Sequence, residues 1–236
     1  MKKNLFILAF CLLTTSASYA QFSLGFKVAL GVASNRVDTK TTGLNFGSDG
    51  PSARIVIGGI ADIQFAEKYA FSTGILYATK QARFTETGNV KYAAGSNIPS
   101  GSEFWGLQYI QIPLTVKLFT SEVFPNAKVY IQAGPQLEIL VGKKNKESSF
   151  QRASNGINPV ADEPTMMSSF NPVDISVTAS AGIEYTIGEN ILFGGLNFQT
   201  GFINTINKTN YQTASGSKVD FTSKNTLFSL EIGIKL

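Results

Sequence analysis

The closing stretch of the chain alternates without a break: Thr226, Phe228, Leu230, Ile232, Ile234 and Leu236 fall on one side, and Leu227, Ser229, Glu231, Gly233 and Lys235 on the other. Successive side chains of a strand point to opposite faces, so this segment has one oily face and one polar face. Seven further stretches, each roughly ten residues or a little longer, read the same way. Such strands suit a closed sheet with hydrocarbon outside and a polar lumen inside.

Parity places the strands at about Phe22 to Ala33, Ala53 to Phe65, Tyr69 to Phe84, Phe104 to Phe119, Lys128 to Val141, Val173 to Ile187, Ile191 to Phe202 and Thr226 to Leu236. The sixth is the cleanest, with Ile175, Val177, Ile183 and Tyr185 outward against Asp174, Ser176, Thr178 and Glu184 inward. The connections form two classes. Those near Ala66 to Lys68, Thr120 to Ala127 and Gly188 to Asn190 are short, and those at Asn35 to Ser52, Thr85 to Glu103, Gly142 to Pro172 and Ile203 to Ser223 are long. At Gly188-Glu189 a two-residue turn with glycine first, or a four-residue turn, keeps Leu192, Leu196 and Phe198 outward. Membrane barrels keep short turns in the periplasm and long loops outside, which puts both termini on the periplasmic side and makes the strand number even. The expected fold is all-β: an eight-stranded antiparallel up-and-down transmembrane β-barrel.

Residues 1–20 belong to a separate problem. Lys2 and Lys3 lead into the apolar run Leu5 to Leu13 and then into Ser18-Tyr19-Ala20, the pattern of a secretory signal peptide. The barrel domain is then 21–236, and its location the outer membrane. Cys11, preceded by Phe10 inside the apolar run, does not fit a lipoprotein cleavage site, and as the single cysteine it leaves the mature chain without thiols. Of 20 Lys plus Arg against 16 Asp plus Glu, removal of Lys2 and Lys3 leaves 18 against 16, a surplus too small to point to nucleic acid. No apolar run after the leader approaches the roughly 20 residues of a spanning helix.

An eight-stranded barrel is narrow enough for its own side chains to fill. Lys27, Arg54, Lys80, Lys117 and Lys235 point inward together with Asp62, Glu138, Asp174, Glu184 and Glu231, which predicts a paired lumen charge network. Pro113 and Pro135 each remove a ladder donor; with a symmetric turn near Phe124, Pro113 faces Gly134, and a bulge or bend is expected there. Lys143, Lys144 and Lys146 open the longest loop at the outer rim and are candidate lipopolysaccharide contacts. Asp162 and Glu163, later in that loop, are a weak candidate for a cation. Phe22, Phe65, Tyr69 and Tyr185 near one rim, with Tyr77, Phe202 and Phe228 toward the other, read as interfacial girdles.

The run Tyr109-Ile110-Gln111-Ile112-Pro113-Leu114, followed by Lys117, resembles the Tyr-Leu-x-Ile-Pro-Leu core of the PorT-like outer-membrane barrel family of Bacteroidetes. Gly25 to Ala29, Gly74 to Tyr77, Ala133-Gly134-Pro135, Ala181 to Glu184 and Leu230 to Lys235 resemble other segments of that family, so the likeness spans the mature chain. It implies insertion by the barrel-assembly machinery. The family's namesake takes part in type IX protein secretion, which implies envelope or secretion-complex subunits as partners. The chain departs from the usual terminal Phe of such barrels by ending on Leu236.

Chemistry has little to work with. The chain has no histidine, which removes Ser-His-Asp hydrolysis and His-based metal sites, and Gly134 to Lys144 does not have P-loop spacing. The expectation is a protein without catalytic residues, cofactor or metal: a sealed structural or interaction component of the cell envelope, as an accessory of a secretion machine. The alternatives are a soluble lipocalin-like ligand-binding barrel, in which the apolar face points inward, and a narrow solute pore, which needs an emptier lumen.

Overall fold

The computed structural model describes residues 21–39, 46–48, 50–86, 90–92, 97–98, 101–148, 167–209, 211–213 and 221–236. The expected leader at 1–20 and the pair Asp162 and Glu163 lie outside the described residues.

Eight long strands form the wall: β1 (Gln21–Thr39), β2 (Ser52–Ala66), β3 (Tyr69–Glu86), β4 (Gly101–Phe124), β5 (Ala127–Ser148), β6 (Val173–Ile187), β7 (Asn190–Gly201) and β8 (Phe221–Lys235). Each pairs antiparallel with its chain neighbours, and β1 pairs with β8 from Gly25–Lys235 to Thr39–Phe221, so the sheet closes on itself. Closure matters because hydrocarbon offers no partner to an open edge.

All three short connections are two-residue hairpins, Glu67-Lys68, Pro125-Asn126 and Gly188-Glu189. Proline fixes the first position of the second turn and Asn126 takes φ 64° at the next, the type II combination. Gly188 takes φ 61° at the first position of the third, as a type II′ turn requires. In the first hairpin Phe65 is an extra residue, so Tyr69 pairs with Ala66, and further along Ile57 faces Tyr77.

Strands β4 and β5 are much longer than the oily band and end at Gly101 and Ser148, beyond the bounds read from the sequence. Short ribbons continue at this end: Met167–Phe170 pairs with Ile206–Thr209, Val90–Tyr92 with Tyr211–Thr213 and Asn97–Ile98, and Phe46–Gly47 with the tip of β3.

The wall's polarity follows parity. Leu230, Ile232, Ile75 and Leu30 are 58 to 66% exposed on the outside, and Ile175 is half exposed among them. Arg54, Asp62, Lys80, Lys117, Glu138, Asp174, Glu184, Glu231 and Lys235 are buried inside. This is the reverse of a soluble ligand-binding barrel and removes the lipocalin-like alternative. Phe22, Phe65, Tyr69 and Tyr185 stand exposed toward the short turns, and Phe65 stacks on Tyr69 with centroids 6.2 Å apart.

Candidate functional site

The lumen is built in layers. Nearest the short turns, Lys117 Nζ donates to Asp62 Oδ2 at 2.8 Å and to Glu184 Oε1 at 3.1 Å. Lys235 Nζ donates to the same Asp62 oxygen at 2.9 Å and to both Glu184 oxygens at 2.7 Å. The four residues come from β4, β2, β6 and β8, that is, from every second strand. Barrel geometry explains this, because tilted strands bring the inward residues of alternate strands to one height. Two cations and two anions alternate around this ring, so each buried charge has opposite charges for neighbours.

Above it, Glu231 of β8 accepts from Lys27 Nζ of β1 and from the Tyr130 hydroxyl of β5, both at 3.0 Å. Lys117 lies 4.8 Å from the Tyr130 ring centroid and 5.8 Å from that of Phe193. Glycine makes room for these rings: a Cβ on Gly182 or Gly195 meets the Tyr130 hydroxyl at 2.7 Å, and one on Gly233 meets the Phe193 ring at 2.3 Å.

The third layer centres on Glu138 of β5. One carboxylate oxygen accepts from Gln111 and Gln136 at 3.0 Å, from Ser176 at 3.1 Å and from Gln199, while the other takes Lys80 Nζ of β3. Lys80 also sits 4.7 Å over the Tyr109 ring. Arg54 is buried nearby with Glu138 as its counter-charge, and its guanidinium makes no hydrogen bond to the described residues. Asp174 lies directly across the β5–β6 ladder from Glu138 and draws on the same Lys80. Like charges facing across a ladder repel, and here the intervening cation offsets them.

Toward the long connections large apolar side chains join the polar ones in the lumen. Phe84, Leu107 and Trp105 are buried, and Phe170 of the ribbon meets Trp105 edge-on at 5.2 Å, with Ile206 buried beside it in the ribbon pairing. Asn145 Nδ2 donates to Glu103 at 3.1 Å at this level. At the opposite end a polar vestibule of about 440 Å³, lined by Gln21, Gln64, Glu67, Lys128 and Glu189, opens from the Asp62–Lys235 ring to the short turns. The cavity beside Lys27 and Glu231 is only about 20 Å³, space for a single water. On the outside, Ala133, Ala179 and Ala181 leave a trough in the oily face between Leu118 and Phe198.

Nine of the ten inward charges named from parity lie in these layers fully buried, and Lys27 is the more open tenth. Two expectations need correction. Pro113 faces Gln136, not Gly134, and the register runs unshifted from the Tyr109–Leu140 pair to the Phe119–Tyr130 pair. The turn is centred later than assumed, and two extra residues on β4 between Phe119 and Phe124 shift the register. Pairing lapses where Leu114 faces Pro135 and Thr115 faces Gly134, and the register shifts lie elsewhere, at Phe104–Trp105, at Gln108–Tyr109 and between Phe119 and Phe124. Lys143, Lys144 and Lys146 do not open a loop: they belong to β5, which runs on to Ser148. Tyr130 is buried, as the parity of β5 requires, while the lumen places of Trp105 and Phe84 carry no sequence signal beyond the parity of their strands.

Residues 19–207 match a family model described as outer membrane protein beta-barrel domain. Among solved structures, the chain is similar to the outer membrane protein OprG of Pseudomonas aeruginosa, at 13% identity over 91% of this chain and 95% of that one, with a TM-score of 0.48. Neisserial surface protein A is similar at 13% identity, 89% and 97% coverage and a TM-score of 0.40. The N-terminal β-barrel domain of Pseudomonas aeruginosa OprF follows at 10% identity, 92% and 99% coverage and a TM-score of 0.35. A comparison with curated protein sequences gives no match.

Proposed function

Since the chain belongs to the outer membrane protein beta-barrel domain family, we propose that it works as a sealed, non-catalytic interaction component of the outer membrane, with both termini in the periplasm. The observation that carries this reading is the filled lumen: three layers of paired charges, and beyond them a layer of aromatic, aliphatic and polar side chains, occupy the axis. Such an interior holds a shape; it leaves the rims and the outer wall as the working surfaces. The pore reading loses support for the same reason.

The Tyr109 to Leu114 core and the segments that accompany it support a narrower assignment, a PorT-like accessory of a type IX-like secretion machine. The proposed partners are outer-membrane lipid and lipopolysaccharide around the wall, the barrel-assembly machinery during insertion, and envelope or secretion-complex subunits afterwards. Affinity purification of a tagged form from outer membranes, with partners identified by mass spectrometry, tests this. Recovery of secretion subunits supports the narrower assignment, and recovery of the barrel alone favours a freestanding structural part.

A further inference from the structure

The tips of β3, β4 and β5 carry a notch that faces outward above the oily band. Its floor is Gly106, which pairs with Gln81 on one side and Lys144 on the other. Its upper wall is Phe104, whose ring lies between two cations, Arg83 at 4.5 Å and Lys146 at 5.2 Å from the centroid. Lys146 is the extra residue of a bulge between the Phe104–Glu147 and Trp105–Asn145 pairs, and a bulge re-aims the side chain it carries. Its stem crosses the notch, with Cε 3.1 Å from where a Gly106 side chain would begin.

The position of this notch decides its occupant. Tyr77 and Ile110 face each other in the oily wall, and the Gly106–Lys144 pair stands four residues further along β4, about 13 Å of strand. With the strand tilt of a membrane barrel the cations then stand roughly 10 Å above those side chains, at the level of headgroups rather than acyl chains. Glu103 of β4 points inward and binds Asn145. Lys143 pairs with inward-facing Leu107 and belongs to the other face of the strand.

We infer that the Gly106 notch, walled by Arg83, Phe104, Lys144 and Lys146, binds a phosphate group of the anionic lipid in the outer leaflet. This deepens the reading of the chain as an outer-membrane barrel and rests on it. Phe104 packs between Arg83 and Lys146 by cation–π contact, the missing side chain at 106 leaves the room in which the Lys146 stem lies, and Lys144 stands beside it as the ladder partner of Gly106.

The test is native mass spectrometry of the detergent-purified barrel with bisphosphorylated lipid A, dephosphorylated lipid A, phosphatidylcholine and inorganic phosphate as separate probes. The expected result is selective retention of the bisphosphorylated lipid, weakened roughly thirtyfold in K144Q/K146Q. Gly106→Gln, which pushes the Lys146 stem out of its place over the strand and keeps every charge, is expected to weaken it too. Equal retention by wild type and both variants, equal retention of the dephosphorylated lipid, or displacement by equimolar inorganic phosphate overturns the assignment. The gel shift on boiling reports folding of each variant, and envelope fractionation tests the outer-membrane reading separately.

Discussion

Lys80 of β3 and Glu138 of β5, respectively 1% and 0% exposed, form an ion pair across the lumen between strands that are not neighbours in the sheet. Glu138 also collects four neutral donors, so its removal strands Lys80 and Arg54 inside and unseats three amides and a hydroxyl. Glu138→Ala is therefore expected to cost about 3–5 kcal/mol, whereas Lys80→Met with Glu138→Leu, which leaves Arg54 and the four donors in the same state but strands no Lys80, is expected to cost less. Urea titration of the folded gel band measures both; equal losses refute the pairing argument.

The glycines behind Tyr130 are a second weak point. Gly182→Ala puts a methyl 2.7 Å from the Tyr130 hydroxyl and 2.3 Å from a backbone oxygen of β7. Overpacking of this kind costs about 1–3 kcal/mol. Outward Gly59 has its nearest atom at 3.9 Å, so Gly59→Ala is expected within about 0.5 kcal/mol of wild type. Comparable losses in the two variants contradict the tight fit at 182.

Depth in the bilayer predicts a graded response to charge on the wall. Leu230 lies mid-strand on the oily face and Phe124 beside a two-residue turn at the rim. Leu230→Arg is expected to cost about 2–4 kcal/mol and Phe124→Arg about 0–1. Folding titrations in lipid vesicles read the difference, and a reversed order removes the placement of the oily band.

The filled axis predicts that wild-type barrel in planar bilayers gives no sustained conductance. A steady ohmic channel from pure protein reopens the pore reading.

Strand positions, the facing of each side chain and the two-residue turn at Gly188-Glu189 were legible because period-two alternation and a leading glycine are local signals. The membership of the lumen was legible for the same reason. Its pairing was not: Lys117 meets Asp62 and Glu184, 55 and 67 residues away, because strand tilt and closure set which inward residues share a height. The misplacement of Pro113 has a similar origin, since Val123 and a second extra residue of β4 shift the register after the turn, and bulges leave no mark in an alternation count. The Trp105–Phe170 contact depends on a ribbon that sequence reading had assigned to loop.

The ring of Asp62, Lys117, Glu184 and Lys235 has a bearing on how the cylinder is made. Its members are contributed by alternate staves, so no single hairpin contains a complete set, and a partly rolled sheet leaves ions facing one another across an unfilled gap. Lys235 arrives last in the chain and completes the quartet. The final stave thus shuts two things at once: paired with β1 it seals the seam, and through Lys235 it gives Asp62 and Glu184 their second cation.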